Sequence, residues 1–166
     1  MSAISPTKLL SGAQTGADRA ALDWAIFRDL PHGGWCPKGR KAEDGKIPPQ
    51  YQFTETPSAS YLQRTEWNVR DSDGTVIFTV AAGLAGGSKR TADFAKKHCK
   101  PWLHLSERGS YESPGERLAA FIREHNIKTL NVAGSRGSKE PGVAAFVKRT
   151  LETAFYPRAE AMVLRG

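Results

Sequence analysis

Short apolar runs alternate with stretches of helical periodicity along the chain. Lys8–Ser11, Thr75–Val80 (TVIFTV), Trp102–Leu105 and Lys128–Ala133 (KTLNVA) read as strands. The second of these is apolar on both faces, the pattern of a strand in a parallel sheet covered by helices on each side. Between them, Ala17–Asp29, Tyr61–Ser72, Ser88–His98, Pro114–Asn126 and Val143–Phe155 read as helices. In the last of these, Val143, Phe146, Val147, Thr150, Leu151 and Ala154 make one stripe. Asp73–Gly74 is a turn into the central strand, and 81–87 (AAGLAGG) is a loop. The alternation predicts a single α/β domain over 1–166, doubly wound, with a mostly parallel sheet and helices on both faces. The tail from 156 onward carries no clear pattern.

One segment departs from this rhythm. Residues 31–57 contain five of the ten prolines and the run HGGWCPKGRKAEDGKIPP, which predicts a long irregular excursion. Loops of that length in a compact domain are usually functional or disordered, and the tryptophan and cysteine in this one favour order. Trp35 can anchor in the core or stack on a planar ring, and Cys36 reads as a small buried residue.

Composition narrows the classes. Of the 166 residues 39% are hydrophobic and 25% charged, the balance of a globular protein, and no run of 18 apolar residues predicts a membrane span. The first twelve residues have no apolar core long enough for a secretory signal. Two cysteines make no disulfide framework, and the four histidines show no metal spacing, so a reducing cytoplasm and no metal are expected. The net charge of +7 invites a nucleic-acid reading. The basic residues form neither a stripe nor a tail, however, and many lie in or beside glycine-rich loops. That distribution points to a small anionic ligand and away from nucleic acid.

Three such loops follow strands and precede helices. In SGAQTGADR, Gly12 and Gly16 permit close backbone approach, and Gln14, Thr15 and Arg19 can contact a ligand. Asp18 suits the helix dipole and needs no ligand. The second loop, GLAGGSKRT, supplies Gly86, Gly87, Ser88 and Thr91, and the third, GSRGSKEPG, supplies Gly134 and Arg136. The excursion adds Lys38, Gly39 and Arg40. Arg64, Asn68 and Asp71 share one side of their helix, which is either a salt-bridged solvated face or an approach of Arg64 to the ligand cleft. Neither GxGxxG nor GxxxxGK[ST] occurs. Ligands of such sheets sit beyond the carboxyl ends of the strands, where the three loops would meet.

The segments SGAQTGADRAALDWA, PHGGWCPKGRKAEDGKIP, ETPSASYLQRTEWNVRDSDGTVIF, GGSKRTADFAKKHCKP and LNVAGSRGSKEPGV resemble the molybdenum carrier family over about residues 8–155. That family is similar to LONELY GUY and lysine-decarboxylase-like proteins. The resemblance implies a Rossmann-like fold, self-association as dimer or tetramer, and binding of the molybdenum cofactor, a pterin carrying a phosphate. The expected function is a carrier of that cofactor. The alternative is a LONELY GUY-like nucleoside monophosphate phosphoribohydrolase, or a module that senses a nucleotide. For the hydrolase, Arg64 stands nine residues before Asp73, and GGSKRTAD puts Asp93 where the family's PGGxGTxxE loop has its Glu. Ala85 replaces the Pro of that loop, and Lys89 and Arg90 replace its Gly and Thr.

Overall fold

The computed structural model describes residues 5–109 and 113–157. The chain runs β1 (Lys8–Leu10), α1 (Ala17–Phe27), β2 (His32–Gly33), β3 (Trp35–Cys36), β4 (Lys41–Ala42), β5 (Gly45–Lys46), β6 (Thr54–Glu55) and α2 (Tyr61–Arg70). It continues with β7 (Gly74–Thr79), α3 (Gly86–Lys97), β8 (Trp102–Ser106), α4 (Pro114–Glu124), β9 (Thr129–Gly134) and α5 (Val143–Phe155). A five-stranded sheet has the order β2-β1-β9-β7-β8, and every pairing in it is parallel. Among the described residues no helix is long and apolar enough to cross a membrane.

The strand order has a simple relation to the doubly wound nucleotide-binding fold. If β9 and α5 preceded β1, the five strands would read 3-2-1-4-5, the order of that fold's first five strands. The chain is thus a circular permutation of it, with its last strand at the sheet's centre.

Alternation along the strands sends their side chains to two unlike layers. Leu9, Val76, Phe78, Leu105, Leu130 and Val132 join Trp24, Leu118, Phe121, Ile122, Phe146 and Leu151 in one apolar core beneath α1, α4 and α5. Phe78 and Phe146 meet edge to face at 5.5 Å. On the opposite face, under α2 and α3, the same strands present Thr75, Ile77, Thr79 and Asn131, all buried. The buried residues of those two helices are Arg64, Asn68, Val69, Ser88, Thr91, Ala92 and Ala95.

The excursion is more ordered than its composition suggests. β2 extends the main sheet beside β1, β3 pairs with β6, and β4 with β5 forms a small hairpin. Cys36, Ala42, Ile47 and Tyr51 pack with Ala13 and Leu22 in a second apolar cluster, which clamps the segment to α1. Trp35 donates from Nε1 to Asp71 at 2.7 Å and meets Trp67 edge to face.

Candidate functional site

The loop after β1 is tightly built. Ser11 Oγ accepts from Ala13 N at 3.2 Å and donates to the Asp18 carbonyl at 3.1 Å. Ala13 is left-handed at φ 62, a conformation that costs an alanine about 1 kcal/mol and is tolerated where its surroundings enforce it. Gly12 is dictated by Arg64: a Cβ there would stand 2.5 Å from Nη1, which donates to the Gly12 carbonyl. Gly16, at φ 83, lets α1 start with its backbone against Ser135–Gly137. Gln14 Oε1 accepts from Thr15 N at 3.1 Å and Glu43 N at 2.9 Å, which fixes the amide's orientation. Its Nε2 is buried and has no hydrogen-bond partner among the described residues.

Two helices and β9 complete the walls. Ser60 caps α2, which brings Arg64, Thr65 and Asn68 to the carboxyl end of the sheet. Asn68 braces the site: Nδ2 donates to the Ser11 and Trp35 carbonyls, and Oδ1 accepts from Trp35 N. Helix α3 starts without a side-chain cap, and the amides of Gly86, Gly87 and Ser88 have no partner among the described residues. Glu140 accepts from Val80 N, Ala81 N and Ser135 Oγ, tying the loop before α3 to the loop after β9. These elements enclose a cavity of about 120 Å³.

The charges are unequal. Arg64, Arg136 and Lys139 line the cavity, opposed by one carboxylate, Asp18. Burial pushes Asp18 up to about 6, against the pull of Arg64 and of the Gln14 and Gly12 amides. Burial also lowers Arg64, with Asp18 the first group to offset it. The Tyr61 ring lies 5.1 Å from the Arg64 guanidinium and 5.7 Å from that of Arg136. Hydrogen bonds from Thr15 and then Ser138 hold Glu43 below the usual carboxylate range and pin the excursion to both flanking loops.

Of the residues expected from sequence, Gly12, Gln14, Arg64, Gly87, Ser88, Thr91, Gly134 and Arg136 meet at this cavity. Gly86 sits beside it, facing Lys139. The others are directed elsewhere. Thr15 bonds to Glu43 and Gly137 N, and Arg19 to Asp44 and the Ala13 carbonyl. Arg40 donates to three carbonyls of the excursion, on Ile47, Pro48 and Tyr51. Lys38 and Gly39 are exposed, and Gly39 N donates to Glu55. Asp93 is not on the cavity wall; its side chain is 55% exposed and faces Lys89 across one helical turn. Arg64 approaches the cleft, as one of its two readings had it, and is 6% exposed. Asp18, assigned from sequence to the helix dipole, instead borders the cavity at 8% exposure. Lys139, one of the basic residues of the glycine-rich loops, also lines it, as do Thr65 and Asn131, neither of them expected as a ligand group. Asn131 had a detectable signal, being an amide at a strand position flanked by apolar residues in TLNVA.

Comparison with known proteins bears on this arrangement. None of the curated proteins matches the chain. A crystal structure named "Putative molybdenum carrier protein", from Syntrophus aciditrophicus SB, is 46% identical and aligns with a TM-score of 0.82, covering 90% of this chain and 94% of that one. The sequence model of the circularly permutated YpsA SLOG family matches residues 9–155, in agreement with the strand order. The chain belongs to the circularly permutated YpsA SLOG family.

Proposed function

We propose that the protein holds a small phosphorylated ligand in this cavity and acts as a carrier of the molybdenum cofactor, the phosphate of its pterin being the anchored group. The observation that carries the reading is the convergence of unsatisfied donors with cations. The free amides of Gly87 and Ser88, the orphaned Gln14 Nε2 and the Arg64 guanidinium belong to residues that line one space at the carboxyl ends of β1, β9 and β7, with Gly86 beside it. A phosphate oxygen accepts from the amides and the guanidinium, which leaves Gln14 Nε2 to another group of the ligand, and the uncapped start of α3 adds its partial positive charge. The 46% identical relative named as a molybdenum carrier supports the choice of cargo.

The hydrolase alternative assigns its carboxylate to Asp93, which is not on the cavity wall and is 55% exposed. Holding is therefore favoured over hydrolysis. The purified chain, incubated with molybdenum cofactor released from a molybdoenzyme, is expected to co-elute with it on gel filtration, detected by pterin fluorescence. Arg64→Ala is expected to abolish co-elution. Absence of co-elution with the unmodified chain would overturn the cargo. Release of free base from nucleoside monophosphates, lost in Arg64→Ala, would overturn the carrier.

A further inference from the structure

A site for a bare anion has no use for Asp18. Its carboxylate borders a cavity whose other charged groups are cations, and it would repel any dianion seated there. The fold does not consume it either. Oδ2 accepts from Gln14 N at 3.3 Å and the Gly12 amide also favours the charged form, but no side-chain donor among the described residues hydrogen-bonds to the carboxylate. Arg64 attracts it, yet its Nη1 is committed to the Gly12 carbonyl and its Nε to Thr65 Oγ1. Four residues earlier, Gln14 is 5% exposed with its Oε1 locked by two backbone amides. That lock leaves Nε2 as a buried donor without an acceptor. One loop therefore brings to one cavity an acceptor short of donors and a donor short of acceptors. Leaving such groups unpaired is costly, and a ligand that pairs both recovers the loss.

We propose that Asp18 and the Gln14 amide are the specificity-determining end of the cavity, taking a phosphorylated ligand whose far end carries a hydrogen-bond donor beside an acceptor. The inference rests on the phosphate reading above. Both a ribose-type hydroxyl pair and the N–H and carbonyl edge of a guanine- or pterin-like ring have this chemistry. The ligand's donor goes to Asp18 and its acceptor takes Gln14 Nε2, while the phosphate lies toward α3. Asp18 also discriminates against inorganic dianions, which bring it charge and no donor. With its pKa at about 6, it carries that charge at neutral pH.

The test is calorimetric titration of the full chain, Asp18→Asn and Asp18→Ala with sulfate, ribose 5-phosphate and guanosine 5′-monophosphate at pH 7.5. Sulfate stays a dianion throughout, and the two organic probes separate the hydroxyl pair from the ring edge. Both variants are expected to bind sulfate about fivefold more tightly, because a like charge is gone. Affinity for at least one organic monophosphate, relative to sulfate, is expected to fall about tenfold or more. If sulfate and both monophosphates change in parallel in both variants, in either direction, this inference alone is overturned. If the unmodified chain binds neither sulfate nor either monophosphate, the phosphate reading falls with it.

Discussion

The two faces of the central sheet are built from the same strands and do different work. Toward α1, α4 and α5 the strands send leucine, valine and phenylalanine into a dry, close-packed layer. Toward α2 and α3 the neighbouring positions are Thr75, Thr79 and Asn131 around a single isoleucine, Ile77, and the helices answer with Arg64, Asn68, Ser88 and Thr91. Nothing in strand propensity requires this difference. A parallel sheet covered on both sides ordinarily reads apolar throughout. Buried polar groups are concentrated on this face, and Gln14 Nε2 and the first amides of α3 are left unpaired among the described residues at its carboxyl end.

The sharpest break in the comparison is expected on the dry side. Phe78→Ala removes a fully buried ring that packs on Phe146 and should cost about 3–5 kcal/mol in urea unfolding. A loss below about 1 kcal/mol would mean that this layer is not the stabilising one.

Asp18 gives the next effect. Its folded pKa, about 6, lies above the unfolded value of 3.8, so the native state binds the extra proton between these pH values. Its contribution to stability is most favourable below pH 4 and declines as pH rises to about 6, by on the order of 3 kcal/mol. Asp18→Asn should remove that decline, read as the difference between the two proteins' unfolding free energies at pH 4 and pH 8. Glu43, Asp44, Glu66, Asp71 and Glu140 have lowered pKa values and oppose it, losing stability as pH falls, and they cancel in the difference. A constant difference across that range would contradict the burial argument.

Arg64→Met sharpens the wet side. Loss of a charge-assisted donor, worth about 1.5–3 kcal/mol, should weaken sulfate binding roughly ten- to hundredfold. Unchanged affinity would remove Arg64 from the anion site.

The smallest effect concerns α3. A Cβ on Gly87 would meet nothing, and its φ is not in the left-handed region. Gly87→Ala should therefore stabilise the fold by about 0.5 kcal/mol while weakening sulfate binding, if an anion lies on the helix start. A gain in stability with sulfate affinity intact would place the anion away from these amides.

The dry layer was legible in the sequence because apolar periodicity is its cause: the stripe Val143–Ala154 and the run TVIFTV appear as helix and strand where expected. The excursion was less legible. Its strands are two residues each, too short for alternation to register, and their pairing is set by contacts with α1 distant in sequence. The cations were misdirected for a related reason. Arg19 and Arg40 stand beside glycines like ligand groups, but Asp44 and the carbonyls of Ile47, Pro48 and Tyr51 claim them once the excursion folds over. In the sequence Asp18 reads as a helix-dipole residue, because the dipole already explains a carboxylate in a first turn. Only burial against Arg64 distinguishes it.

The permuted order also has a temporal consequence. β1 and β7, both of which lead into the cavity's walls, do not touch as strands; β9 lies between them and pairs with each. During synthesis, then, the first 106 residues yield two separate parallel pairs of the main sheet, β2 with β1 and β7 with β8, with bare inner edges. The last strand among the described residues joins them, so a nascent or truncated chain lacks the Asn131–Arg136 wall of the cavity until the polypeptide has been made through β9 and the loop after it.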